Sequence, residues 1–306
     1  KEADAVRILS GVRNGRATGA PLCAMIENTN TRSDDYRNIA ASMRPGHADY
    51  AGHVRYQGFN DYRGGGHFSG RLTAPLVFAG AVAKQALAQY GIIVGSHILQ
   101  INDIKEERFN PMGVSDAELA ELHTKKFAVM DDAVGEKMQE RILQAKSELN
   151  SVGGVIEAIA LHLPAGIGAP YFDSVESMLS HALFSVPAVK GVEFGDGFGF
   201  ARLTGAEAND ALHYVDGKVK ALTNHNGGVT GGITNGMPFV VRVAIKPTPS
   251  IAREQQTVSL KEQADTTLAI VGRHDPCIVQ RAVPVIEAVV AWTLWDLLLE
   301  AKKWEK

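Results

Sequence analysis

Apolar side chains recur at helical spacing through TAPLVFAGAVAKQALAQY, residues 73 to 90. Pro75 sits near the start, where a helix tolerates a missing N–H, so the segment predicts a helix. The period then changes: GIIVGSHILQI, 91 to 101, is dense in β-branched residues between glycines and predicts a buried strand. Ser115 and Glu118 in SDAE have capping-box spacing and open one helix, and DDAVGEKMQERILQAKSELN, 131 to 150, predicts a second, amphipathic one. GGVIEAIALHLPAGIG reads as an alternating strand stopped by proline and glycine, and 172 to 186 as a helix ending at Pro187. VKGVEFGDGF and PFVVRVAIKP are two further strands bounded by turn formers. The apolar run AVVAWTLWDLLLEA after Glu287 is interrupted by Asp296 and preceded by Pro284; it falls short of a membrane span and predicts a buried C-terminal helix.

Two of these strands follow helices, which hints at a recurring helix–strand unit. No low-complexity tract or linker divides the chain, so one α+β domain over residues 1 to 306 is expected. Composition changes this picture only in glycine: the 31 glycines gather at 64 to 66 and 187 to 236, as backbone turns near a ligand would require. A formal net charge of -3 supplies no basic field for a nucleic-acid backbone, so the arginines must act locally, and neither nucleic acid nor membrane is expected as a partner. Cys23 and Cys277 lack metal-ligand spacing; no metal is assigned to them, and a reducing, cytoplasmic compartment suits them. The first residues lack the order of a signal peptide and an initiator Met, so the chain is expected to start inside a longer protein.

Three segments carry chemistry. MRPGHADYAGHVRYQGFNDYRGGGHFSG, 43 to 70, holds three histidines and three arginines on a glycine track, and Arg71 follows at once. Arginine forks and exposed backbone N–H groups bind phosphate and carboxylate, so an anion site is one reading and a solvated surface loop the other. His47, after Arg-Pro-Gly, would be presented by a turn, with an imidazole able to exchange protons near neutrality. TNHNGGVTGGITNGMPFVVRVAIKPTPS, 223 to 250, lacks the Lys-Ser/Thr of a P-loop, and GDGFG at 195 to 199 is not a dinucleotide fingerprint. The glycines at 227 to 236 fit a hairpin connection, and Lys246 with Thr248 and Ser250 a rim for a phosphate or for a polar ring edge. GRHDPC, 272 to 277, sets Arg273, His274 and Asp275 before the C-terminal helix, where a charged loop is the simpler reading.

In this order RPGHADY, DYRGGG, VKGVEFGDGF, NGGVTGGITNGMP, KPTPSI and GRHDPC with RAVPVIEA resemble the motifs of chorismate synthases, and the resemblance runs from residue 1 to the C-terminal helix. It implies an α+β fold of the family's β-α-β sandwich type and a homotetramer. The implied activity is a carbon–oxygen lyase of aromatic amino acid biosynthesis that uses reduced FMN to eliminate phosphate from 5-enolpyruvylshikimate 3-phosphate, giving chorismate. Some members also reduce their own flavin with NADPH. By position, His47 matches a histidine that protonates the reduced flavin and Asp275 an aspartate that assists proton removal beside it. Arg44, Arg71 and Arg273 match groups that hold the substrate. Flavin contacts are implied at His67, Phe68, Ser69, Pro187, Ala188, Gly231, Lys246, Pro247, Thr248, Pro249, Ser250 and Arg273.

Two departures follow. The family's GGGRSSARETA stands here as GGGHFSGRLTA, which puts the contacts at His67 and Phe68, and the place of Leu72, in question. Family chains also begin with a further segment bearing a GESHG histidine and an RRRPG cluster, and this chain starts after both. These departures leave a non-catalytic flavin- or anion-binding homologue as one alternative, and the flavin reduction of some family members leaves an NADPH–flavin reductase activity as another.

Overall fold

The computed structural model describes residues 5–28, 42–61, 63–270 and 275–302. It opens on a ribbon of β1 (Val6–Ser10) with β4 (Cys23–Ile26), inside which β2 (Val12–Arg13) pairs with β3 (Arg16–Ala17). Helix α1 (Asp49–Arg55) and two 3-10 turns (Arg63–Phe68 and Gly70–Thr73) lead into α2 (Ala74–Ala88). The predicted strand follows as β5 (Ile93–Ile101), with the short β6 (Ile104–Lys105) folded back on it. Then come α3 (Asp116–Thr124), α4 (Asp132–Ser147), β7 (Gly154–Leu161), α5 (Val175–Phe184) and β8 (Val189–Phe194). A 3-10 turn, the short helix α6 (Gly205–Ala208) and the ribbons β9 (Leu212–Val215) with β10 (Lys218–Ala221) and β11 (Val229–Thr230) with β12 (Ile233–Thr234) precede β13 (Phe239–Ile245). The chain closes with β14 (Gln255–Ser259) paired to β15 (Ala264–Leu268), and α7 (Val279–Lys302).

The capping box at Ser115 and Glu118 forms as its spacing predicts, with each side chain on the other's backbone N–H. The helix expected over 172 to 186 is shorter, because Ser174 caps it at Ser177 N and Tyr171–Asp173 turns as a 3-10 helix before it. The glycine-rich 227 to 236 stretch is a hairpin, β11 and β12.

The principal sheet has the order β6-β5-β7-β13-β8, antiparallel throughout. The helix–strand recurrence is visible in it: α4 leads into β7 and α5 into β8, and the two strands flank β13. Alternation along the strands sorts side chains to two faces. On one face Val94 and Ile98 of β5, Ile156, Ala158 and Ala160 of β7, and Phe239, Val241 and Val243 of β13 pack with α2, α5 and α7 into the main core. Gly80 lets α2 approach α7, since a Cβ there would lie 2.2 Å from Ala288 Cβ. Helix α7 is long and apolar enough to cross a membrane, but 67% of that window is buried against the rest of the protein, as the sequence pattern of a core helix requires.

The other face carries a row of charge. His97 pairs in register with Glu157, Glu157 with Arg242 and Arg242 with Glu193, so signs alternate across four strands. Arg242 Nη1 donates to Glu157 Oε1 at 3.1 Å and Nε to Glu193 Oε1 at 2.6 Å, while its Nη2 donates to the Gly195 carbonyl. His97 bonds Glu157 through Nε2 at 3.1 Å and Glu106 through Nδ1. Phe109, Leu119, Leu122 and Ile159 seal this face, the Phe109 ring 4.3 Å from the imidazole.

Candidate active site

Because β13 runs antiparallel to both neighbours, its C-terminal end meets the starts of β7 and β8 at one edge of the sheet. Three loops converge there. Lys246 N donates to the Ala188 carbonyl at 2.9 Å, Ser151 Oγ to the Thr248 carbonyl at 2.7 Å, and Val152 N to the Pro276 carbonyl at 2.8 Å. Runs that are distant in sequence, 187–188, 246–250 and 275–277, therefore share a neighbourhood.

The RPGHAD turn docks onto this edge. Gly46, at φ 68°, takes the left-handed conformation that lets the chain reverse, and His47 N donates to the Arg44 carbonyl at 3.2 Å. Lys246 Nζ donates to the Gly46 carbonyl, and Arg44 Nη1 approaches Ser250 Oγ at 3.4 Å. Arg44 is buried, with Nε and Nη2 both on Asp49, at 2.7 and 2.8 Å. His47 Nδ1 lies 2.6 Å from Asp49 Oδ1. Burial alone would raise the Asp49 carboxyl, but the hydrogen bonds and charges of Arg44 and His47 outweigh it and hold that group well below the usual carboxylate range.

Two features at this edge lack a counterpart among the described residues. Burial, and then the charge of Lys190, push Lys246 below the ordinary lysine range, and among the described residues neither lysine forms an ion pair. Thr248 Oγ1 is buried with no hydrogen-bond partner. Two cations and an orphan hydroxyl match an anion of the phosphate kind.

The other residues singled out by sequence fall around this cluster or away from it. Phe68 packs against α1, where a Cβ on Gly52 would sit 2.7 Å from its ring, so the 67–69 run touches the helix that follows His47. Ser69 Oγ caps the next turn by accepting from Arg71 N at 3.2 Å, and His67 and the Arg71 side chain are exposed. Pro187 and Ala188 join α5 to β8, Ala188 at φ 73°; Pro247 and Pro249 flank Thr248, with Pro249 near Gly46. Asp275 accepts from Cys277 N at 3.4 Å and from Arg281 Nη1 at 3.2 Å. Cys277 itself is buried, which raises its thiol to about 11 and leaves it inert. Arg273 lies outside the described residues. Gly231 stands apart: its hairpin is joined to the loop after β7, through Thr234 N on the Ile167 carbonyl at 2.9 Å, at the opposite end of the strands.

Sequence reading passed over Asp49, Ser151 and Lys190. The His-Ala-Asp spacing around a turn was a signal for the first; Lys190 and Ser151 become neighbours of Lys246 and Thr248 only through the pairing of β8 and β7 with β13.

Fold and site together define an α+β protein with an Asp-held histidine and two lysines gathered at one end of its principal sheet. The chorismate synthase family profile matches residues 1–299. Chorismate synthase of Thermococcus kodakarensis is 47% identical over 305 residues, covering 100% of this chain and 84% of that protein. That of Dehalococcoides mccartyi strain BAV1 is 45% identical over 308 residues, covering 98% and 82%. A crystal structure of chorismate synthase superposes with a TM-score of 0.74 at 30% identity, covering 96% of this chain and 78% of that one. The chain belongs to the chorismate synthase family.

Proposed function

We propose that this chain eliminates phosphate from 5-enolpyruvylshikimate 3-phosphate to give chorismate, with reduced FMN as cofactor. The observation that carries this reading is the meeting of the RPGHAD turn and the 246–250 run at one sheet edge, through Lys246 with Gly46 and Arg44 with Ser250. The residues present fit a phosphate-bearing flavin: the orphan Thr248 hydroxyl and the lysines at 246 and 190 lack an anionic partner among the described residues. Lys246 to Ser250, with Pro187, Ala188, His67, Phe68 and Ser69, would hold it. When bound, the flavin supplies the electrons that ease departure of phosphate, with no net redox change.

The protein's share is orientation, charge and protons. Arg71 and Arg273 hold the carboxylates and phosphate of the substrate. Arg44 joins them only through Nη1, because its Nε and Nη2 are engaged by Asp49. His47 yields a proton at Nε2, the nitrogen that faces away from Asp49. Asp275, carried on the loop beside Val152, assists removal of the ring proton, and its exposed partner Arg281 leaves it free to exchange contacts. We also propose a cytoplasmic homotetramer, for which exposed Phe198, Leu212, Tyr214 and Leu222 offer apolar contact surface; a flavin contact from Gly231 would be made across such an interface.

Anaerobic turnover with reduced FMN and the enolpyruvyl substrate tests the reading. The protein forms chorismate, and His47→Ala lowers kcat by about 10²–10⁴-fold, the usual share of a general acid. Full activity in that variant overturns the role of His47. NADPH oxidation without substrate would identify the reductase activity.

A further inference from the structure

We propose that Asp49 is a positioning residue of this active site: its single carboxylate fixes the His47 proton on Nδ1, leaves Nε2 as the atom that exchanges protons, and sets the Arg44 fork in the same act. The inference rests on the reading of His47 as proton donor.

Asp49 is the first residue of α1, but the helix gains no side-chain cap at Ala48. The carboxylate instead turns back over the preceding turn. Oδ2 accepts from Arg44 N at 3.0 Å and from Arg44 Nε at 2.7 Å; Oδ1 accepts from Arg44 Nη2 at 2.8 Å and from His47 Nδ1 at 2.6 Å. An ionised carboxylate has about four acceptor sites, and all are taken by two residues of one turn. The three side chains are 12%, 7% and 15% exposed for Asp49, Arg44 and His47, so water competes poorly for these bonds.

This geometry decides the tautomer. A carboxylate accepts and never donates, so the nitrogen 2.6 Å from it must carry the hydrogen. Arg44 Nη2 lies 3.1 Å from the same ring nitrogen, a distance set by two donors sharing Oδ1. The neutral ring is then Nδ1–H with a lone pair on Nε2, and the imidazolium carries its transferable proton on Nε2. When that proton leaves, the N–H bonding pair stays on Nε2 and the ring falls from +1 to neutral. The Nδ1–H bond and the charge of Asp49 are unchanged. The depressed Asp49 carboxyl agrees with a group that stays ionised throughout.

Imidazole nitrogen NMR of the histidine-labelled protein, without flavin, reads the tautomer directly. The expected result is His47 as Nδ1–H in its neutral form, and a loss of that preference in Asp49→Asn. In turnover, Asp49→Asn should lower kcat by about 10²–10⁴-fold, as loss of an orienting carboxylate does in other His-Asp pairs, and displace the His47 limb of the pH–rate profile. Wild-type His47 with its proton on Nε2 overturns the proposal, and does so even if Asp49→Asn fails to fold. So does a folded Asp49→Asn with unchanged tautomer, rate and pH profile while His47→Ala is inactive. Full activity in His47→Ala instead overturns the proton-donor reading alone.

Discussion

Two clusters in this protein are built from the same materials, arginine, histidine and carboxylate, and differ in what they leave unfilled. On the sealed face of the sheet, every polar atom of His97, Glu106, Glu157, Arg242 and Glu193 has a partner. The last of them, Glu193 Oε2, accepts from Phe198 N at 3.3 Å. At the sheet edge, Arg44, His47 and Asp49 are as tightly joined, yet Thr248 Oγ1 has no hydrogen-bond partner, and the lysines at 246 and 190 have no carboxylate partner among the described residues. A closed polar network specifies a fold, and an open one offers itself to a ligand. Residue type and burial alone would not have separated them.

The largest expected effect breaks the closed cluster. Arg242→Met leaves Glu157 and Glu193 facing each other across the vacated strand position with no cation between them. Removing one member of a buried ion pair costs about 3–5 kcal/mol, so the urea midpoint should fall steeply. A loss below about 1 kcal/mol would mean that the row contributes as little as an exposed pair. The activity of whatever fraction folds should be much less affected than in His47→Ala.

How much of this contrast was legible beforehand differs between the two regions. The strands of the row are legible, that of Glu157 from alternation, that of His97 from β-branched density between glycines and that of Arg242 from its turn-forming bounds, and GSHIL, VIEAI and VVRVA each show one charged residue in an apolar run. Nothing local says that those three residues sit opposite one another, because register belongs to the pairing of β5, β7 and β13. The RPGHAD turn and the KPTPS run were both singled out, and the structure brings them together. The use of the Arg44 fork on Asp49, rather than on a ligand, was not legible. Helix α1 and the β14 with β15 ribbon were also missed, since α1 is only about two turns long and its single buried residue is Gly52, so no apolar stripe marks it. Phe68, where the chain departs from its family's pattern, has a visible reason for being aromatic: the bare Gly52 surface receives its ring.

A smaller effect is the pH dependence of stability, which the two clusters should divide. Burial lowers His97, but the carboxylates of Glu106 and Glu157 win and raise it above its ordinary 6.5. Its contribution is therefore complete below 6.5 and is lost as pH rises through the higher folded value. Glu157 and Asp49 are both lowered, the pull of their cations outweighing burial, so their contributions are present above the ordinary carboxylate range and vanish as pH falls through the depressed values. Stability should peak between about 4.5 and 6.5. In chemical denaturation across pH, His97→Gln should remove the alkaline limb, whereas Asp49→Asn should flatten only part of the acid limb. An alkaline limb that survives His97→Gln would assign it to another group.

The smallest effect is the sharpest test of openness. Thr248→Val keeps the shape of the side chain and deletes a hydroxyl that finds no partner in the protein. An unsatisfied buried hydroxyl costs about 1–3 kcal/mol, and some of that should return on its removal, so the flavin-free variant is expected to gain up to about 1 kcal/mol. Binding of reduced or oxidised FMN, followed by fluorescence quenching, should weaken by roughly 2–12-fold, the value of one hydrogen bond of 0.5–1.5 kcal/mol. The two signs must be opposite if the hydroxyl is held in reserve for a ligand. A variant that loses stability without flavin would show that Thr248 is satisfied within the protein, and the difference between the two clusters would then rest on Lys246 and Lys190 alone. Unchanged flavin affinity with a gain in stability would keep the hydroxyl as an orphan but move the flavin away from the 246–250 run.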